Sequence, residues 1–388
     1  MPTKKPRNST TKPLKIGFVL DDTLDTADGV QQYVLTVSTW LKAQGHEVHY
    51  LVGQTARTDL EHIHSLARNV AVRFNKNRMS IPLPASKPAL RQLLEREKFD
   101  VLHVQLPYSP MLAGRIIASA PAQTAIVGTF HVAPYSLLVS LGNHLLHVLN
   151  RRSIRRFDNI MSVSSVAQQF ARKTIKQDTS IVPNTVDLGP YAAAKPLKRY
   201  NDGVTTVLFL GRLVERKGCW HLLRAIRILR DERLVKKPFR VVICGKGQLE
   251  TPLKRYVAEH QLESIVDFAG FVAEEDKPAY MAAADVAVFP STGGESFGIV
   301  LIEAMAAAKG AVLAGNNPGY ASVARPEALF DPHNERQLAN MLAEHINSPS
   351  LRAQYHAQQQ IMVKQYDVAT VGRQIEDCYI AALHSRRK

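Results

Sequence analysis

The chain has 388 residues, 45% of them hydrophobic and 21% charged, with a net charge of +15. That size allows two domains with separate apolar cores, and no apolar run is long enough to span a bilayer. Residues 1–190 hold 23 Lys/Arg against 13 Asp/Glu, and such a basic surface attracts polyanions: nucleic acid, anionic lipid or nucleotide phosphates.

Residues 1–13 are polar and basic, lack the apolar stretch of a secretory signal, and read as a disordered leader. Strand-like apolar runs then alternate with helical periodicity. Lys15 to Leu20 is a strand, Val30 to Ala43 a helix stopped by Gly45, and Glu47 to Val52 a second strand. Val70 to Phe74, Val101 to Val104, Thr124 to Thr129 and Asn159 to Val163 continue the series. Strands separated by helices predict parallel βαβ units in a doubly wound sheet. Residues 14–187 therefore form a Rossmann-like N-terminal domain. Residues 188–202, rich in Ala, Pro, Lys and polar groups, read as a linker.

The pattern restarts in residues 203–365, a second Rossmann-like domain. Strands are expected at Thr205 to Leu210, Arg240 to Cys244, Ile265 to Phe268, Val286 to Phe289 and Ala311 to Ala314, with a helix at Trp220 to Leu229. Residues 366–388 form a terminal helical segment. The architecture is α/β, two doubly wound parallel-sheet domains facing across a cleft, with ligands at the carboxyl ends of the strands. Cys219, Cys244 and Cys378 lack metal-ligand spacing and fit a reducing cytoplasm.

Several strand ends carry residues suited to chemistry. Asp28 and Gly29 open the first helix, where glycine lets a phosphate or sugar approach the backbone and Asp28 is placed to cap. Gln31 and Tyr33 follow on that helix. His131 ends the Thr124 strand, and His103 ends another. In Gly211–Gly218, Arg212 and Lys217 lie between a strand end and a helix start, where cations and backbone N–H groups neutralise a diphosphate. Gly245 and Gly247 form one further turn, and Gly270, Phe271 and Val272 another. The run Gly293 to Ala306 is the most informative: a glycine turn and a helix start hold Glu295 and Glu303, with Ser296, Phe297, Gly298 and Ile299 between. Carboxylates suit a polyhydroxylated ligand because each accepts several hydroxyl hydrogen bonds. Two basic amphipathic stretches, Ser86 to Lys98 and Leu137 to Phe157, are candidates for contact with an anionic membrane. A solvated helix packing its leucines on the core is the alternative.

The Gly293–Ala306 run resembles the donor-site motif of retaining GT-B glycosyltransferases of family 4, most like the phosphatidylinositol α-mannosyltransferase branch. The resemblance spans most of residues 15–330. It implies that Arg212 and Lys217 hold the pyrophosphate, Glu295 orients sugar hydroxyls and Glu303 holds the ribose. It places His131 by the transferred sugar and acceptor. Gly29, Gly245, Gly247, Val272, Ser296, Phe297, Gly298 and Ile299 surround the donor, and Asp28, Gln31 and Tyr33 meet the acceptor. It further implies a terminal helix crossing back to the first domain, GDP-mannose as donor, and a phosphatidylinositol-like lipid acceptor. The expected location is the cytoplasmic face of the cell membrane. No cofactor beyond the substrate and no metal are expected, and there is no Asp-x-Asp at a strand end. Asp28 and Thr185 depart from family glycines. A transferase using UDP-glucose or another nucleotide sugar for glycolipid or capsule synthesis, and a sugar-nucleotide-binding protein without turnover, are the alternatives. A nucleic-acid module is disfavoured because the basic clusters are interleaved with leucines rather than aromatics. The sequence leaves the oligomeric state open.

Overall fold

The structure is a computed structural model that describes residues 12–26, 28–74, 77–82, 85–106, 111–132 and 150–387. Most of the expected leader, and residues 137–149 of the second amphipathic candidate, lie outside the described residues. The chain divides into two compact units, one of them Val186–Asp367 and the other formed by the chain before it together with Val368–Lys388.

The first unit is built on a seven-stranded sheet of order β3-β2-β1-β6-β7-β8-β9. Its strands are β1 (Lys15–Leu20), β2 (Glu47–Val52), β3 (Ile63–Ser65), β6 (Val101–Gln105), β7 (Ala125–Phe130), β8 (Asn159–Ser162) and β9 (Ser180–Ile181). All their pairings are parallel, with Phe18 opposite Tyr50 on one side and His103 on the other. β1, β6 and β7 are buried along almost their whole length, which is why they read as continuous apolar runs rather than alternating ones.

One expected member of the series departs. β4 (Asn69–Phe74) pairs antiparallel with β5 (Asn77–Pro82) as a separate ribbon. Only residues 75–76 separate them, and a parallel pair needs a crossover of about a dozen residues.

Helices α1 (Gly29–Ala43), α2 (Lys87–Glu97), α3 (Leu112–Ser119) and α4 (Ser165–Ile175) flank the sheet. Ser164 caps α4 by accepting from Ala167 N. Leu90, Leu93 and Leu94 of α2 are buried with Leu102, Ile116 and Ile117. The leucines of this membrane candidate therefore serve the core, and Lys87, Arg91, Arg96 and Lys98 are left exposed beside them.

The second unit carries a six-stranded parallel sheet of order β12-β11-β10-β13-β14-β15. Its strands are β10 (Thr205–Leu210), β11 (Phe239–Cys244), β12 (Val266–Gly270), β13 (Val286–Phe289), β14 (Ala311–Gly315) and β15 (Leu329–Phe330). Helices α5 (Leu188–Ala192), α6 (Cys219–Asp231), α7 (Glu250–Glu259), α8 (Lys277–Ala282), α9 (Ile299–Ala307), α10 (Pro318–Ala321), α11 (Glu335–Asn347) and α12 (Pro349–Met362) complete it. Residues 188–202, expected as a linker, are folded into this unit: Asp187 caps α5 by accepting from Gly189 N, and Tyr200 is buried. The last helix, α13 (Val368–Arg387), belongs to the first unit, where Val371, Ile375 and Tyr379 pack with Tyr33, Val37 and Leu41 of α1.

β10 and β13 are adjacent in the second sheet. The loops that leave their carboxyl ends lie far apart in sequence, and strand adjacency alone brings them together.

Candidate active site

The loop after β10 (residues 211–218) meets the loop after β13 (residues 290–298) along their backbones. Gly218 stands at φ +73°, and a Cβ there would lie 1.9 Å from the carbonyl oxygen of Pro290. Only glycine permits that approach. Thr292 N then donates to Arg216 O at 2.9 Å.

This contact assembles an ionic cluster. Glu295 Oε1 accepts from Arg216 Nη1 at 2.6 Å and from Lys217 Nζ at 2.9 Å. Ser291 Oγ lies 2.9 Å from the same carboxylate oxygen. The Glu295, Lys217 and Arg216 side chains are only 14%, 18% and 17% exposed. Burial pushes the Glu295 carboxyl up, but Lys217 and Arg216 outweigh it and hold the group below its ordinary value. Burial likewise lowers Lys217, against the pull of Glu295. The cluster thus holds one carboxylate between two cations beside the start of α6, a place suited to a second anion.

The sequence analysis singles out Arg212 and Lys217 for the diphosphate and does not name Arg216. Arg212 lies exposed on the same loop, and Arg216 makes an ion pair with Glu295. The usable signal was the adjacent pair Arg216-Lys217 directly before an obligatory glycine.

Glu303 lies in α9 and is 4% exposed, so it is no surface residue. It accepts from the Tyr191 hydroxyl at 2.9 Å, and burial raises its pKa despite Lys277 and Tyr191. Tyr191 belongs to the stretch read as linker, and nothing in its sequence context marks it. The two glutamates therefore have separate partners, cationic for Glu295 and phenolic for Glu303.

Around them, Gly298 is the N-cap of α9, Ile299 is its first residue, and Phe297 is buried against Tyr366 at 5.6 Å between ring centroids. Ser296 is partly buried in the same turn. Gly245 stands at φ +141°, where a Cβ would lie 1.9 Å from Gly211 O. The turn Gly245–Gly247 thus packs directly on the Arg212 loop, and Leu213 N donates to Lys246 O at 3.0 Å. Gly245 N also donates to Gly270 O at 2.6 Å. Val272 is 8% exposed and its neighbour Phe271 is 69% exposed.

In the first unit His131 is 6% exposed. Its Nε2 lies 2.7 Å from Gln105 Oε1, so the ring donates there. Burial lowers its pKa to about 3, which keeps the imidazole neutral. His103 is fully buried, 2.7 Å from Tyr379 Oη and 2.6 Å from Thr129 Oγ1, and is also lowered to about 3 by burial. It is a core histidine.

Of the acceptor candidates, Asp28 is exposed at the N-cap of α1, with no capping bond from its side chain. Gly29 follows as the first residue of that helix. Gln31 is 3% exposed and donates to Thr23 O at 3.1 Å. Tyr33 is 1% exposed and lies edge-on beneath His131 at 4.8 Å. Gln31 and Tyr33 therefore point inward, because they lie on the buried stripe of α1.

Two parallel-sheet α/β units with functional loops at the strand ends are the architecture of GT-B glycosyltransferases. Residues 27–189 match the family model described as Glycosyltransferase Family 4, and residues 194–361 match Glycosyl transferases group 1. The phosphatidyl-myo-inositol mannosyltransferase of Mycolicibacterium smegmatis is 31% identical over 374 residues, covering 94% of this chain and 93% of that one. Its Mycobacterium tuberculosis counterpart is 31% identical over 382 residues, 94% and 96% of the two chains. Among solved structures, a glycosyltransferase from Rickettsia africae aligns with a TM-score of 0.74 at 16% identity over 95% of this chain and 99% of that one. Anabaena HepE in complex with UDP and glucose aligns at 0.68 and 18% over 94% and 98%. The chain belongs to the family 4 glycosyltransferases of the GT-B class, and it is similar to phosphatidyl-myo-inositol mannosyltransferases along most of its length.

Proposed function

We propose that this glycosyltransferase is a retaining, metal-independent hexosyltransferase that moves mannose from GDP-mannose to a membrane lipid such as phosphatidylinositol. The observation that carries the reading is the Arg216–Lys217–Glu295 cluster, set where the loops of β10 and β13 meet. Lys217 and Arg212, with Arg216 beside them, stabilise the charge that grows on the leaving diphosphate, where preorganised cations help most. Glu295 orients the sugar hydroxyls while holding the two cations in place. Glu303 takes the ribose hydroxyls by exchanging its bond from Tyr191. His131, neutral, hydrogen-bonds the sugar or acceptor rather than acting as a base.

In the reaction the bond from the anomeric carbon to the diphosphate oxygen breaks. The acceptor hydroxyl attacks from the same face, and its proton passes to the leaving phosphate. The cations supply the charge that a metal would otherwise bring.

Among the described residues no helix is long and apolar enough to cross a membrane. Membrane contact on this reading is peripheral, at the cytoplasmic face, through the exposed cations of α2. The test is product analysis with GDP-mannose and phosphatidylinositol vesicles. A mannosylated lipid is expected, and GDP-mannose turnover with no lipid product would remove the acceptor assignment.

A second reading rests on the alpha-monoglucosyldiacylglycerol synthase of Streptococcus pneumoniae, 23% identical over 96% of this chain and 87% of that one. It predicts transfer from UDP-glucose to diacylglycerol, which the same assay with exchanged substrates resolves. Binding of nucleotide sugar with neither hydrolysis nor transfer would mark a protein without turnover.

A further inference from the structure

At the β2–β3 edge of the first unit's sheet, three histidines and a glutamate gather away from every residue assigned above. Glu47 and His49 lie two apart on β2 and so share a face of the sheet. His62 directly precedes the neighbouring edge strand β3, and His64 lies within it. His49 is 2% exposed. Its Nε2 lies 2.8 Å from Glu47 Oε1, and its Nδ1 lies 3.0 Å from His64 Nε2. The exposed His62 ring stacks on His49, with centroids 4.4 Å apart and planes at 11°. His62 also holds φ +56°, a left-handed backbone that non-glycine residues rarely adopt. One ligand atom from each of Glu47, His49 and His62 falls within 4.8 Å of the others.

We propose that Glu47, His49 and His62 bind a divalent transition-metal ion of the zinc class. Imidazole nitrogens with one carboxylate are the donor set such ions take, and they suit magnesium poorly. The ion sits on His49 Nε2 and a Glu47 oxygen. A rotation of the exposed His62 side chain turns its ring from the stack toward the same point, and water completes the shell. His64 is the outer partner that orients His49, the arrangement found behind most metal-bound histidines.

The proton count closes. Without the ion, His49 Nε2–H donates to Glu47 and His64 Nε2–H donates to His49 Nδ1. With it, His49 carries its proton on Nδ1 and donates to His64 Nε2, whose own proton moves to Nδ1. Both rings change tautomer and stay neutral. Lys15 Nζ, 3.0 Å from Glu47, keeps Glu97 at 2.8 Å as its partner when the ion takes Glu47. The ion pins the short edge strand β3 to β2 and covers an open sheet edge.

The experiment is calorimetric titration of the full, tag-free chain with Zn2+ in excess Mg2+, with Co2+ absorption reporting the ligand field. One Zn2+ per chain is expected, unaffected by Mg2+. His62→Ala and Glu47→Gln change exposed side chains, circular dichroism checks that each variant keeps its fold, and each is expected to weaken binding about tenfold or more. No stoichiometric binding, or binding of unchanged strength in both variants, overturns the proposal.

Discussion

The charge on Glu295 is balanced by Lys217 and Arg216 at 2.9 and 2.6 Å. Glu295→Gln keeps the shape and removes the charge, which leaves two cations facing each other. Turnover of the nucleotide sugar is expected to fall roughly 10²–10³-fold, the scale of losing one preorganised electrostatic contact. Arg212→Ala is expected to do the same if Arg212 meets the diphosphate. Steady-state kinetics beside circular dichroism separate loss of chemistry from loss of fold, and near-normal rates in both variants would dissolve the site assignment.

His103 and His131 contribute to the pH dependence of stability. Burial places both near pKa 3, against about 6.5 for an exposed histidine. Between those values the unfolded chain binds protons that the folded chain refuses, so stability rises with pH there. Their contribution is complete above about pH 6.5 and is lost progressively as pH falls toward 3, at about 1.4 kcal/mol per pH unit for each group. Urea midpoints between pH 7 and pH 5 are expected to drop accordingly, and His131→Gln is expected to flatten the slope. A midpoint independent of pH in that window contradicts the buried, neutral assignment.

At the scale of elements, α2 and the β10 loop make separate points. The leucines of α2 belong to the core, so only its cations remain for a membrane. Lys87→Gln with Arg91→Gln is expected to weaken binding to anionic vesicles by about 2 kcal/mol, roughly 30-fold, at about 1 kcal/mol per cation. Thermal stability is expected to hold, because both side chains are exposed. Co-sedimentation checks this, and vesicle binding unaffected by the pair would exclude α2 as the contact. Gly218→Ala tests the loop junction. Its Cβ would collide with Pro290 O, pushing the Arg216–Lys217 loop off Glu295. Activity and melting temperature are both expected to fall, whereas an Ala at exposed Gly203 should lower stability alone.

At the scale of the whole molecule, the chain crosses from the first unit to the second and returns for α13. Val371, Ile375 and Tyr379 are wholly buried there, and Tyr379 lies 2.7 Å from His103. Removing residues 368–388 would bare that apolar face and leave one ring nitrogen of buried His103 without its partner, a cost well beyond a single-site change. The truncated chain is expected to lose the cooperative melt of the first unit. The second unit has its own core, and its stabilisation by added nucleotide is expected to persist. Differential scanning calorimetry with and without GDP reads both.

The strand and helix series was legible because parallel strands buried on both faces write themselves as short apolar runs, and β1, β10 and β13 fall where those runs lie. The motif residues were legible as types: glycines where backbones touch, carboxylates and cations at strand ends. Partners were not. Arg216 and Lys217 meet Glu295 because strand adjacency joins segments far apart in sequence. Tyr191 reaches Glu303 from a stretch whose composition suggested a linker. The β4–β5 ribbon, the inward face of Gln31 and Tyr33, and the core role of the α2 leucines were likewise settled by packing. Local propensity and periodicity are carried by neighbours in the chain, so one sequence suffices to read them. Contact between distant side chains depends on which strands lie side by side, and only the folded molecule decides that.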